Sequence, residues 1–156
     1  MTATLSEGDL VSGYAAFLRN EGWRVVVTRP SQASIFFTME GGRRKGPDVV
    51  AVKRTVVLSL EAKVRAAGLF RRAPPWHLSD CDVMNALAAS EAYQAELLSR
   101  VAQRLGDMDV RLPVIAGLLA ATTFPPEGLE EASQLLCVQR LSSGEFRIVS
   151  SAVHPD

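Results

Sequence analysis

A chain of 156 residues, of which 47% are hydrophobic and 22% charged, can bury one sizeable core but is too short for two, so we predict a single domain over residues 1–156. No run approaches the ~20 apolar residues that a membrane-spanning helix needs, and the N-terminus lacks the basic-then-apolar order of a signal peptide. We therefore expect a cytoplasmic protein with no membrane partner.

The charges are balanced in number but not in distribution. Seventeen basic and seventeen acidic side chains cancel, which argues against a general nucleic-acid-binding protein. Residues 43–72, however, carry nine basic and two acidic side chains, a local net charge of +7. This segment could face phosphate groups, although single basic loop residues more often serve solubility.

The N-terminal half predicts one helix followed by strands. Apolar residues at helical spacing and the cap pair Ser6 and Asp9 predict a first helix that ends near Gly22. Alternating and β-branched patterns predict strands at 23–28, 47–52 and 55–63, with a hairpin turn at residues 53 and 54. A further extended piece could lie at 34–39, and residues 41–46 predict a flexible basic loop.

The C-terminal half predicts a long helix, a buried strand and a hairpin. Helical spacing runs over 79–105, with Gly106 as the stop. Residues 112–122 are apolar almost throughout, as in a strand covered on both faces. Strands at 134–140 and 146–150 predict a terminal hairpin. The order of elements predicts an α/β fold with a mixed sheet.

One corner of the first hairpin concentrates polar side chains. A two-residue turn places Asp48 opposite Ser59, with Glu61 as its diagonal neighbour. Because side chains alternate along a strand, Ser59, Glu61 and Lys63 share a face with Asp48, while the other face is wholly apolar. Asp48, Glu61 and Lys63 therefore cluster at the end of the hairpin away from its turn.

A divalent cation would compensate for burying these charges. Two carboxylates and an ammonium on a buried hairpin are costly unless something offsets their desolvation. Mg²⁺ or Mn²⁺ suits hard oxygen ligands, would neutralise a phosphodiester and would lower the pKa of an attacking water. Lys63 could hold or deprotonate that water, or contact the scissile phosphate. The alternative without a metal is an ordinary edge-strand ion pair between Glu61 and Lys63, with Asp48 as a turn residue after Pro47.

Pro47-Asp48, twelve intervening residues and then Glu61-Ala62-Lys63 resemble the signature of the PD-(D/E)xK nuclease superfamily. The resemblance implies a restriction-endonuclease-like core of a helix, three strands, a helix and a strand. It also implies that Asp48 and Glu61 bind the metal, that the Ala62 carbonyl assists, and that Lys63 is the catalytic lysine.

The resemblance extends over residues 6–122 and leaves the terminal hairpin as an addition. Many members carry an acidic residue on the first helix, and Glu7 resembles that position. The N-terminal part of the sequence is also similar to resolvase-like and to virus-type replication-repair nuclease domains. The residues do not distinguish between these two subfamilies. Resolvase-like relatives are commonly dimers, so the apolar terminal hairpin could form a homodimer interface or simply cap the sheet.

We therefore expect a Mg²⁺- or Mn²⁺-dependent endonuclease that acts on DNA, and the resemblance implies that cleavage leaves a 5′-phosphate. The rival hypothesis is a catalytically silent protein of the same fold that binds nucleic acid or supports an assembly. Five basic residues are predicted to contact backbone phosphates: Arg43, Arg44, Lys45, Arg71 and Arg72. Cys81 and Cys137 have no second Cys or His at metal-ligand spacing and are expected to be core or helix-surface thiols.

Overall fold

The computed structural model describes residues 6–27, 37–38, 44–65, 71, 79–106, 112–121 and 136–150. Over these residues the chain forms three helices and eight strands. Their bounds are α1 Glu7–Asn20, β1 Arg24–Val27, β2 Phe37–Thr38, β3 Arg44–Lys45, β4 Val49–Val52, β5 Val57–Lys63, α2 Asp80–Ala89, α3 Glu91–Leu105, β6 Val114–Ala120, β7 Leu136–Arg140 and β8 Phe146–Ser150. None of the described helices is long and apolar enough to cross a membrane.

Six strands form one mixed sheet in the order β1-β4-β5-β6-β7-β8. β1, β4 and β5 are antiparallel neighbours, β5, β6 and β7 are parallel, and β8 returns antiparallel to β7. Parallel neighbours need a crossover connection, and the helices α2 and α3 lie in the crossover between β5 and β6. The predicted α/β class with a mixed sheet is confirmed.

The sheet is covered on both faces. α1 packs on one face against the β4 and β5 side chains of Val49, Ala51, Leu58, Leu60 and Ala62. α2 and α3 pack on the other face, where Val50, Val52 and Val57 join the core. All seven residues of β6 are buried, as predicted for a strand covered on both sides.

Local sequence signals account for the bounds of α1. The Ser6 hydroxyl accepts a hydrogen bond from the Asp9 backbone N–H at 3.0 Å, and the Asp9 carboxylate accepts from the Ser6 N–H. This capping box satisfies amide groups that have no partner inside the first turn. At the other end Gly22 has a φ of 91°, a conformation that glycine adopts without steric cost. The predicted cap and stop are confirmed.

The predicted register of the first hairpin is wrong by two residues. Val52 pairs with Val57, and Val49 pairs with Leu60, so four residues rather than two connect β4 and β5. The Lys53 backbone N–H donates to the Val56 carbonyl at 3.0 Å and closes this longer turn. A shift of two residues returns every strand side chain to its predicted face, because the side-chain period of a strand is two.

The single helix predicted over 79–105 is also wrong, because the chain breaks at Ser90 into α2 and α3. Ser90 is extended (φ −106°, ψ 118°), and its hydroxyl accepts from the Tyr93 N–H as the cap of α3. Gln94 Nε2 donates to the Leu87 carbonyl at 2.9 Å and satisfies the end of α2. Helical spacing continues through the break, but serine competes for the backbone amides.

The basic loop predicted over 41–46 is partly a strand. Arg44 and Lys45 form β3, which pairs antiparallel with Phe37 and Thr38 of β2 in a separate two-stranded sheet. The glycines around this segment suggested a loop, but the backbone amides of β3 find partners in β2. The extended piece predicted at 34–39 is described only at Phe37 and Thr38.

The terminal hairpin is confirmed, and it forms one edge of the six-stranded sheet. Leu136 and Val138 are buried in the core on the α1 side, and the Phe146 ring lies 4.9 Å from the Tyr14 ring of α1. Gly144, with a φ of 91°, supplies the turn. Ile148 remains exposed.

Buried thiol and phenol groups make stability sensitive to alkaline pH. Cys81 and Cys137 are both core thiols. Burial, with a smaller effect of Cys81, raises the pKa of Cys137 from 9.0 to about 11. Burial also raises the pKa of Tyr14 from 10.0 to about 12.

We expect the free energy of unfolding to fall as the pH rises above 9. The unfolded chain releases these protons first, so the stabilisation is fully present below pH 9 and is lost towards pH 11 to 12. Urea unfolding at pH 7 to 11 measures this slope, and Cys137→Ala should flatten its lower part. A free energy of unfolding that stays constant up to pH 11 would contradict the assignment.

Candidate active site

The carboxyl ends of the three parallel strands lie side by side. Lys63 of β5 pairs with Ala120 of β6, and Ala120 pairs with Gln139 of β7. The crossover brings Asp80, the first residue of α2, to the same edge. Ligands of open α/β sheets bind beyond the carboxyl ends of the strands, so this edge is where a site is expected.

Asp48 is anchored to β5 by its backbone and by one carboxylate oxygen. It lies just before β4, and its backbone N–H donates to the Leu60 carbonyl at 3.0 Å. Its Oδ2 accepts a hydrogen bond from the Ala62 N–H at 2.8 Å. Oδ1 has no hydrogen-bond partner among the described residues. Ala62 thus orients the carboxylate beside Glu61 and leaves one oxygen for a ligand.

Glu61 and Lys63 share one face of β5, as predicted. Glu61 Oε1 lies 3.7 Å from Lys63 Nζ. Ser59 precedes them on the same face, and its buried hydroxyl has no hydrogen-bond partner among the described residues. The face therefore carries polar groups inside the layer between the sheet and α2.

Asp80 is a member of this cluster that sequence reasoning missed. Its Oδ2 lies 2.6 Å from Lys63 Nζ, whereas Glu61 Oε1 lies 3.7 Å from the same atom. The sequence Ser79-x-x-Asp82 is a capping box that could have located the start of α2. The capping box could not have shown that the start of α2 lies beside the carboxyl end of β5. Asp48, Glu61, Lys63 and Asp80 are called the acidic corner below.

Gln139 is a second polar side chain at this edge that sequence reasoning missed. Its Nε2 donates to the Ala121 carbonyl at 3.1 Å, just beyond the end of β6. The bond holds the ends of β6 and β7 together. No sequence motif pointed to this contact.

The other predicted site residues lie outside the acidic corner or outside the described residues. Glu7 is the exposed first residue of α1, the helix that covers the opposite face of the sheet from α2. Arg71 is exposed. Arg43 and Arg72 lie outside the described residues, as do the side chains of Arg44 and Lys45, whose backbone forms β3.

The donor set of the acidic corner fits a hard divalent cation. Asp48, Glu61 and Asp80 are only 8%, 2% and 9% exposed, and with Lys63 their formal charge is −2. Among the described residues, no group of three or more His, Cys, Asp or Glu side chains is arranged to hold a metal ion. Mg²⁺, however, is usually bound through one or two carboxylates, with water and substrate phosphate completing its shell. Asp48 and Glu61 can supply that pair.

Comparison with known proteins adds no family assignment. No protein-family model matches the sequence, and no curated protein matches it significantly. The functional assignment therefore depends on the geometry of the acidic corner.

Proposed function

We propose that this chain is a metal-dependent nuclease of the PD-(D/E)xK type that hydrolyses DNA phosphodiester bonds. The order of elements supports the proposal, since α1, β1, β4, β5, the α2–α3 pair and β6 follow the sequence of a helix, three strands, a helix and a strand. In this assignment β2 and β3 are an insertion, α2 and α3 replace one helix, and β7 and β8 are additions. We infer that these elements form a restriction-endonuclease-like core.

One observation supports the proposal most: buried Asp48 lies just before β4, which pairs with β5, and buried Glu61 and Lys63 share one face of β5. The Ala62 N–H orients Asp48, and Glu61 lies 3.7 Å from Lys63. Burying the Asp48 carboxylate in addition to this ion pair costs desolvation free energy, which a bound cation would offset. When bound by Asp48 and Glu61, with the Ala62 carbonyl as a further donor, Mg²⁺ or Mn²⁺ would neutralise phosphate charge and lower the pKa of a water.

The residues of the chain then have separate roles in hydrolysis. Asp48 and Glu61 hold negative oxygens at the strand ends, and Lys63 offers N–H donors to the scissile phosphate or to the attacking water. The water oxygen bonds to phosphorus, the bond from phosphorus to the 3′ oxygen breaks, and that oxygen takes up the proton of the water. The products are a 5′-phosphate and a 3′-hydroxyl.

A cleavage panel tests this function. Branched, duplex and single-stranded DNA are incubated with the parent protein in Mg²⁺, in Mn²⁺ and in chelator. We expect metal-dependent cleavage that Lys63→Ala lowers to a small residual rate. Lys53→Ala is the matched control, because Lys53 lies at the turn of the same hairpin, 4.9 Å from the Trp23 ring centre. Absence of cleavage on every substrate, or equal cleavage by Lys63→Ala, would reject the proposal.

The second candidate is a catalytically silent nucleic-acid-binding or assembly module. The 2.6 Å contact between Lys63 and Asp80 favours it, because an ion pair of this kind can serve the fold alone. Binding of DNA without cleavage, together with a melting temperature that Mn²⁺ does not change, would identify this function.

DNA affinity is expected to depend steeply on salt through Arg43, Arg44, Lys45, Arg71 and Arg72. Replacing Arg43, Arg44 and Lys45 together with glutamine should reduce the slope of log K against log[salt] by ~0.9 for each duplex phosphate that the protein no longer neutralises. Fluorescence anisotropy from low to physiological salt measures the slope. Arg100→Gln is the control, because Arg100 pairs with Glu96 at 2.9 Å on α3. An unchanged slope in the triple variant would remove residues 43–45 from the binding surface.

A further inference from the structure

Asp80 has a contact that helix capping does not explain. The cap of α2 is complete without it, because Ser79 and Asp82 exchange hydrogen bonds at 2.8 and 3.1 Å. An acidic residue in a first turn is favoured by the helix dipole, but that effect needs no burial. Asp80 is nevertheless buried, with its Oδ2 directed at Lys63 Nζ.

We propose that Asp80 is the positioning residue for Lys63: it holds the Lys63 ammonium at the scissile phosphate or attacking water of the nuclease site. The inference rests on the proposed function and extends it to a residue outside the Pro47–Lys63 motif. Asp80 acts through Lys63 and does not itself contact DNA.

The distances explain why Lys63 needs this partner. Lysine has a flexible four-carbon stem and a compact charge. Glu61 lies 3.7 Å from Nζ, beyond ordinary hydrogen-bond distance, whereas Asp80 at 2.6 Å is within it. Asp80 therefore holds Lys63 in the conformation that places Nζ beside Glu61. Because an ammonium has three N–H donors, one bond to Asp80 is compatible with a bond to substrate.

A role as a third metal ligand fits the geometry less well. Asp80 Oδ2 is directed at the ammonium, and no three acidic side chains among the described residues are arranged around a common cation position. Metal binding should therefore survive the removal of the Asp80 charge. This expectation separates a positioning role from a ligand role.

Asp80→Asn tests the inference with Asp82→Asn as the matched control on the same helix. At saturating DNA and Mn²⁺, Asp80→Asn should lower kcat by ~10- to 100-fold, the scale of a reacting group misplaced by about 1 Å, and should change KM little. Asp80→Glu should recover part of this activity. Asp82→Asn should lower the melting temperature through the cap and retain the parent kcat.

A double-mutant cycle shows whether Asp80 acts through Lys63. Adding Asp80→Asn to Lys63→Ala should cause no further decrease in kcat, because the group that Asp80 positions is already gone. An equal further decrease in that background would overturn the inference. So would a parental kcat in Asp80→Asn alone.

Thermal melts in Mn²⁺ and in chelator separate this inference from the proposed function. Asp80→Asn should keep the Mn²⁺-induced rise in melting temperature that the parent shows, and the absence of that rise would make Asp80 a ligand and overturn the positioning role. If the parent neither cleaves DNA nor responds to Mn²⁺, the proposed function fails and the positioning role fails with it. If the parent and Asp80→Asn cleave DNA at equal rates, the positioning role is overturned and the proposed function is not.

Discussion

Asp48→Asn is expected to lower DNA cleavage by at least ~10³-fold, because it removes a proposed metal ligand, and the metal is expected to supply several kcal/mol of transition-state stabilisation. The metal-free variant should be as stable as the parent or slightly more stable. Its amide oxygen can still accept the Ala62 N–H bond that the parent makes at 2.8 Å. The substitution also removes a negative charge beside buried Glu61, and such repulsion is often relieved by changes at functional sites.

The same substitution should remove most of the stabilisation by Mn²⁺. A ligand that binds only the folded state at 100 times its Kd adds ~2.7 kcal/mol to the free energy of unfolding. Thermal melts of the parent and Asp48→Asn, each in chelator and in millimolar Mn²⁺, measure this gain. Glu145→Gln, at an exposed turn position, is the charge-matched control. A parent that is indifferent to Mn²⁺, or a variant that unfolds far earlier in chelator, would show that Asp48 is a structural turn residue.

Gly117→Ala should destabilise the protein by about 3 kcal/mol, the upper part of the range for overpacking a core. A Cβ at Gly117 would lie 2.3 Å from the Leu136 carbonyl oxygen and 2.9 Å from the Leu136 Cβ. Both atoms belong to the neighbouring strand, so relief requires β6 and β7 to move apart. The strain would reach the edge where β5, β6 and β7 end.

Urea unfolding of the parent and Gly117→Ala tests this effect. Gly13→Ala is the control, because its added Cβ would lie 3.7 Å from the nearest side-chain atom, in Phe146, and α1 should gain up to ~1 kcal/mol from the higher helix propensity. Equal stability of Gly117→Ala and the parent would contradict the close approach of β6 to β7.

The sequence predicted the elements whose signal is periodic. Alternation assigned β4 and β5 side chains to the correct faces, and the shared face of Glu61 and Lys63 followed from their spacing. The cap of α1, the burial of β6 and the terminal hairpin were equally accessible, because each depends on residues close together in the chain.

Two local features were predicted wrongly because competing local interactions are similar in energy. Residues 53–56 form a four-residue connection, although the pattern of the strands is equally compatible with a two-residue turn. Ser90 interrupts a run with continuous helical spacing, since its hydroxyl caps α3 as readily as the backbone would continue α2. Periodicity reports which face is buried, not where the backbone changes direction.

The remaining features of the acidic corner depend on long-range packing. Asp80 meets Lys63 because α2 begins beside the carboxyl end of β5, and Gln139 joins the same edge because β7 pairs parallel with β6. Neither interaction leaves a periodic or spacing signal, since each depends on which strands become neighbours and where a helix begins relative to them. The chain supplies Asp48, Glu61 and Lys63 as a local pattern, whereas the position of the Lys63 ammonium depends on the ion pair that the crossover creates.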